Sequence, residues 1–278
     1  MNPSLLVLAN LPEAAAHTAR YAAALGQPLG LHLALLHCYL HPTLLTPALV
    51  EEEIAHSDYN EAETMTALRA LAGRLSVPAE VMEAGGLLDE DVATAIRRYQ
   101  PLLLAMGLGP DQSLLDELLR RQVLPVLRAT GRPVLLVPAA TPAVPVAPRR
   151  VLVAVDGEPF GLAAASRNLG ELLGSWAAAY TVAHIDLAGE LPGTRGQRAL
   201  ADVRASKLLP PATPLELYEV ADAAPAAGIL QAIDDTRADM LVLITRPRSF
   251  LGALFHRSVT AAVLRHTPVP VLLLPAAG

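Results

Sequence analysis

The chain has 278 residues, with 21 Lys and Arg against 27 Asp and Glu, and a formal net charge of −6. That balance, with three Phe, one Trp and six Tyr, argues against a partner held by phosphate neutralisation or base stacking, so no nucleic acid is expected. Hydrophobic residues reach 53%, yet no run of 18 apolar residues occurs, so no membrane partner is expected; the single cysteine, Cys38, leaves no internal disulfide and suits a reducing cytoplasm.

The N-terminal stretch MNPSLLVLANLPEA lacks the basic region and long apolar core of a secretion signal, and a cytoplasmic protein is expected. Ser4–Ala9 is a short continuous apolar run, the pattern of a strand buried on both faces. Pro12 suits a helix's first turn, and the alanine-rich Ala14–Leu25 predicts a helix stopped by Gly26. Gly30–Cys38 predicts a second strand, Ala48–Leu75 one long helix or two, and Ala79–Glu83 a third strand. Asp89–Tyr99 predicts a helix, acidic at its start and basic at Arg97-Arg98, as the dipole favours. Leu102–Met106 reads as strand, Leu114–Arg128 as helix and Val134–Val137 as strand. The proline-rich Ala139–Pro148 sustains neither helix nor central strand and reads as an extended linker.

The order then restarts. Arg150–Val155 reads as strand, Phe160–Leu173 as helix, Ala178–His184 as strand, Arg195–Leu208 as a shorter helical region, Leu215–Val220 as strand and Pro225–Thr236 as helix. Met240–Ile244 and Val269–Leu274 are strands around a helix that carries Leu254, Phe255, Val259, Val263 and Leu264 at helical spacing. Residues Arg128–Pro138 mirror Arg265–Pro275 at a constant offset of 137, which also pairs Leu103–Gly107 with Met240–Ile244. Half the chain reads as a diverged copy of the other, giving domains 1–138 and 149–278 joined by the linker 139–148. Strands alternating with helices predict an α/β fold whose ligands enter at the carboxyl ends of parallel strands.

Three segments carry a resemblance to a known family: VLVAVDGEP (Val151–Pro159), ADMLVLITRPRS (Ala238–Ser249) and HRSVTAAVLRHTPVPVLLLP (His256–Pro275). With them the chain resembles the universal stress protein family in its tandem form. The resemblance implies two Rossmann-like, adenine nucleotide alpha hydrolase-like domains, each a five-stranded parallel sheet flanked by helices. It also implies self-association through the final strands, Val134–Val137 and Val271–Leu274, as an intramolecular pseudo-dimer or a homodimer. An uncovered apolar edge strand invites such pairing.

Nucleotide-binding members of that family carry Gly, two residues, Gly, nine residues, Gly, then Ser or Thr. Laid on the second half, the pattern falls on Ile244, Pro247, Arg257 and Ser258, keeping the serine alone; on the first half it falls on Gly107, Pro110, Arg120 and Arg121, keeping one glycine. Proline has no N–H to offer a phosphate, and an arginine side chain stands where a hydrogen atom was needed. The resemblance makes Asp156 the residue that meets the adenine-ribose end, with Asn10 its first-half counterpart. The candidate site is therefore Asp156, His184, Ile244, Pro247, Arg257, Ser258 and Val259. Asp156-Gly157 is equally a turn whose carboxylate bonds the following amides. Arg246, Arg248 and Arg257, with Ser249 and Ser258, read either as a solvated loop or as a cationic one that draws an anion.

Other chemistry finds little support. There is no GxxxxGK[ST], GxSxG, HExxH or CxxC. His32 and His37 are five apart on a strand and face opposite sides; His37, Cys38 and His41 read as a metal-free strand-end cluster. Asp89, Glu90 and Asp91 are accounted for by a helix start, and His256 by an exposed or helix-packing position. The expectation is a non-enzymatic stress-response protein with degenerate nucleotide loops and no resident cofactor, acting on an unknown protein partner; the alternative is an ATP-binding sensor or weak ATPase that uses the second domain.

Overall fold

The computed structural model describes residues 3–9, 12–37, 61–83, 88–109, 123–142, 145–186, 194–221, 224–246 and 259–277. By contact the chain divides into two compact units, 1–107 and 108–278.

The first unit begins with β1 (Ser4–Ala9), whose six residues are all buried, as a strand between two layers of helix must be. Helix α1 (Pro12–Gly26) starts on the proline and gives way to a tight turn closed by Gly30 at φ 59°. Strand β2 (His32–His37), helix α2 (Glu61–Ala72), strand β3 (Ala79–Met82), helix α3 (Leu88–Tyr99) and strand β4 (Leu103–Leu108) follow. The sheet order is β3-β2-β1-β4, with every pair parallel: Ser4 lies opposite His32, Leu5 opposite Leu103 and Leu33 opposite Ala79. Strand order reverses between β1 and β4, which is the topological switch point of this half. Cys38, His41, most of the predicted helix 48–75 and the start of the predicted helix 114–128 lie outside the described residues.

The second unit opens with α4 (Leu124–Thr130) and β5 (Val134–Pro138). It continues with β6 (Arg150–Val155), the short helices α5 (Ala164–Arg167) and α6 (Gly170–Ser175), β7 (Ala179–Asp186), α7 (Thr194–Ala205) and β8 (Leu215–Ala221). Helix α8 (Pro225–Thr236), β9 (Met240–Thr245), α9 (Val259–His266) and β10 (Val271–Pro275) complete it. Five strands, in the order β10-β9-β6-β7-β8, run parallel. Strand β5 joins them antiparallel to β10, setting Leu136, Leu135 and Val134 against Val271, Leu272 and Leu273, all at most 1% exposed. These are the two strands that the sequence marked as a candidate pair. The switch point of this half lies between β6 and β9.

The α/β class with mostly parallel sheets is as the sequence implied, and most elements fall within two residues of their expected ends. The helix expected over Phe160–Leu173 differs. Residues 160–163 form no helix: Leu162 makes an antiparallel bridge to Ala276, and only then do two short helices start. Leu162, Leu169, Leu172 and Leu173 are all buried, but Leu162 is so from an extended strap and not from a helix. Within the linker 139–148, the described residues hold neither helix nor strand.

Candidate functional site

At the second switch point, β6 and β9 end side by side and deliver Asp156 and Arg246 to the crevice beyond them. The two side chains form a two-pronged ion pair: Arg246 Nε donates to Asp156 Oδ2 at 2.9 Å and Nη2 donates to Oδ1 at 2.8 Å. The same guanidinium donates to the Glu158 carbonyl (2.8 Å) and the Pro159 carbonyl (3.2 Å), and its Nη1 lies 3.7 Å from the Glu158 carboxylate. A planar fork with several donors suits this arrangement in a way that a lysine would not. The Arg246 side chain is only 18% exposed, whereas that of Asp156 is 56% exposed, so the cation is sunk in the crevice and the anion rims it.

The local electrostatics follow from this geometry. Burial pushes the Asp156 carboxyl up, but the Arg246 hydrogen bonds, the Glu158 amide and the Arg246 charge outweigh it and hold the group below its ordinary range. Its hydrogen bonds to the Asp156 carboxylate, partly opposed by burial, raise Arg246 above its usual value. The Glu158 amide donates to Asp156 Oδ1 at 3.1 Å. The turn reading of Asp156-Gly157 is thus physically present.

From Gly157 the backbone crosses the ends of β9 and β10 as a strap. Ala163 N–H donates to the Pro275 carbonyl (3.0 Å), Ala277 N–H to the Gly161 carbonyl (2.7 Å), Ala276 N–H to the Thr245 carbonyl (2.9 Å) and Ser166 Oγ to the Pro275 carbonyl (3.1 Å). Leu162, 1% exposed, anchors the far end. Gly157 opens the strap at φ +75°, and a Cβ there would stand 2.6 Å from His184 Cε1, so only glycine fits over that ring.

His184, near the end of β7 and opposite Val155 of β6, is 3% exposed, and neither ring nitrogen has a hydrogen-bond partner. A buried polar atom without a partner costs about 1–3 kcal/mol. Thr245 Oγ1, at the end of β9, is likewise buried and unpartnered. Ile244 is half-buried; strand register carries its side chain to the same sheet face as His184. Val259 starts α9 and is 40% exposed. The structure therefore gathers Asp156, His184 and Ile244 at one end of the sheet. Pro247, Arg257 and Ser258 lie outside the described residues, as do Arg248 and Ser249. Arg246 was read from sequence as part of a solvated or anion-drawing loop, and its partner turns out to be Asp156. A signal was available: an acidic residue directly after β6 and a basic one directly after β9, the two strands flanking a switch point.

In the first half, Gly107 near the end of β4 is covered by α1. A Cβ there would meet Thr18 Oγ1 at 2.8 Å and Ala14 Cβ at 2.9 Å, so helix packing accounts for this glycine. An open surface groove of about 570 Å³, lined by Arg167, Asn168, Gly170, Glu171 and Pro210, lies elsewhere on the second unit, and Arg167 Nη1 is engaged by the Leu162 carbonyl at 3.0 Å. Among the described residues no three His, Cys, Asp or Glu side chains are grouped to hold a metal ion, and no helix is long and apolar enough to cross a membrane.

Comparison with known proteins gives one family match: residues 148–275 fit the universal stress protein family. No curated protein sequence matches the chain at a significant level. Among solved structures, a universal stress protein from Archaeoglobus fulgidus is similar over 99% of this chain and 96% of its own, at 18% identity and a TM-score of 0.60. A putative universal stress protein from Pseudomonas aeruginosa matches over 99% and 94%, at 21% identity and a TM-score of 0.57. The cytoplasmic domain of a prokaryotic cation chloride cotransporter matches over 99% and 95%, at 10% identity and a TM-score of 0.58. At such identities the likeness is one of fold.

Proposed function

We propose, on the premise that residues 148–275 match the universal stress protein family, that the chain is a non-enzymatic, cytoplasmic stress-response protein whose nucleotide loops have degenerated. It is a tandem pseudo-dimer, with domains 1–138 and 149–278 around the linker 139–148, and it works through contacts with a protein partner or a second copy of itself. It keeps no resident nucleotide.

One observation carries this reading: the Arg246 guanidinium, its side chain 18% exposed, takes both oxygens of Asp156 beyond the ends of β6 and β9. By the resemblance, Asp156 is the side chain that would meet the adenine-ribose end of a nucleotide. Here both of its oxygens already accept from an internal cation. The glycine pattern supports the same reading, since Ile244, Pro247 and Arg257 stand where backbone amides would have to approach a phosphate. These residues do not fit a nucleotide of the family's kind.

A second reading, an adenine-nucleotide sensor or weak ATPase in the second domain, is favoured by one observation: the unpartnered, buried ring of His184 beside Asp156. The two readings separate in a thermal-shift titration of the purified chain with ATP and magnesium, alongside AMP and free phosphate. A ligand that binds the native state raises the melting temperature by mass action. The first reading expects no dependence on nucleotide concentration. A saturable rise with ATP, absent with phosphate, would replace it with the second.

A further inference from the structure

We propose that residues 157–161 form a lid over His184, and that the Arg246 side chain is the latch that keeps it shut. The inference rests on the reading of the second crevice as self-occupied, and it adds that this occupancy is reversible.

The lid is defined by where the strap is fixed and where it is not. Its near end continues from β6, and its far end is pinned by the Ala277 amide on the Gly161 carbonyl, buried Leu162, the Ala163 amide on the Pro275 carbonyl and the Ser166 hydroxyl on the same carbonyl, so Gly161 is the fixed hinge. Between these anchors, Glu158 and Pro159 are exposed, and their carbonyls are held by one side chain, that of Arg246. Glycines bound the segment. Gly157 has the left-handed φ of +75°, and Gly161 has room for a side chain, with Ala277 Cβ 3.8 Å from where its Cβ would be, so tight packing does not account for it. A Glu158-Pro159-Phe160 element between two glycines, held at its centre by guanidinium hydrogen bonds to two carbonyls, has the construction of a flap.

What the flap covers is the second, independent observation. His184 is 97% buried under Gly157, with both ring nitrogens unpartnered. Nothing in the closed form repays the loss of water from that ring. In the open form both nitrogens regain hydrogen bonds, while Arg246 and Asp156 become solvated at a rim where Asp156 is already 56% exposed. The closed state therefore gains one ion-pair network and sacrifices two hydrogen bonds, so it is favoured by a margin that one side chain can remove. The exposed imidazole offers one donor and one acceptor to whatever enters.

The test is histidine footprinting of the full chain with diethylpyrocarbonate, mapped by peptide mass, in parallel with amide hydrogen exchange. In the wild type, His184 reacts far more slowly than His32, whose side chain is 27% exposed. Arg246→Ala and Asp156→Asn each raise the His184 rate by about tenfold, the factor given by an opening equilibrium shifted by ~1.4 kcal/mol. Arg246→Lys, which keeps the charge and loses the fork, falls between. The Glu158 amide exchanges faster in step, while the amides of β6 and β9 stay as protected as before. Two results overturn the proposal: His184 remaining as slow in Arg246→Ala and Asp156→Asn as in the wild type, or His184 reacting faster only where the β6 and β9 amides lose protection as well. Nucleotide binding by the wild type would instead overturn the self-occupied reading, so the two failures are distinguishable.

Discussion

In the first half, α1 starts at Pro12 and lays Ala14 and Thr18 directly on Gly107 of β4. In the second half, Ile244 stands at the position 137 residues on, and no helix starts until Ala164; the strap and the Arg246–Asp156 pair take the space. A strand residue with no side chain lets an alanine-rich helix press against it. A β-branched residue on that face keeps the helix away, and the chain must satisfy the crevice by other means. Both members of the latch are missing from the first half: Asn10 answers Asp156, and Gly109, with nothing within 4 Å of its would-be Cβ, answers Arg246. Two copies of one βαβ plan thus solve the same covering problem, one by apolar packing and one by charge.

The comparison breaks hardest at Gly107. Gly107→Val forces a branched side chain into α1 and is expected to cost about 3 kcal/mol, the upper end for overpacking a fitted core. Urea unfolding checks it, and unchanged stability would mean that α1 does not rest on that position. Next comes Gly157→Ala, which places a Cβ 2.6 Å from His184 Cε1 at a left-handed φ; a loss of about 1–2 kcal/mol in the same assay is expected. Arg246→Ala should be milder, under about 1 kcal/mol, because Asp156 is more than half exposed and solvent screens the pair. Its effect belongs to the strap rather than to global stability.

The smallest expected effect is on pH dependence. Asp156 is held below its ordinary 3.8 when folded, so its contribution is complete above that value and fades as pH falls through the lower folded one. Between pH 5 and 2, wild-type stability should therefore fall more steeply than that of Arg246→Ala. Parallel slopes in denaturant titrations of the two proteins would show that the pair does not form in solution.

Much of the fold was legible because buried parallel strands announce themselves as unbroken apolar runs. Ser4–Ala9 and Arg150–Val155 have the ends the sequence marked, and the 137-residue offset lays β4 on β9. The strap was not legible. Leu162 sits at helical spacing from Leu169 and Leu173, and only its bridge to Ala276, more than a hundred residues away, makes it extended. The candidate site was half legible. His184 follows from its place at a strand end, and Asp156 from the resemblance of the strand that precedes it. The role of Arg246 does not, since a single arginine after a strand looks the same whether it meets solvent, an anion or a carboxylate across the switch point.

The most direct measurement of the central claim is the nucleotide content of the freshly purified chain, released by denaturation and resolved by ion-pair chromatography. With Arg246 occupying the crevice, no stoichiometric adenine nucleotide should be recovered from the wild type. Recovery of ATP or AMP at a constant ratio to protein would contradict that claim, because a nucleotide would then hold the crevice assigned to Arg246.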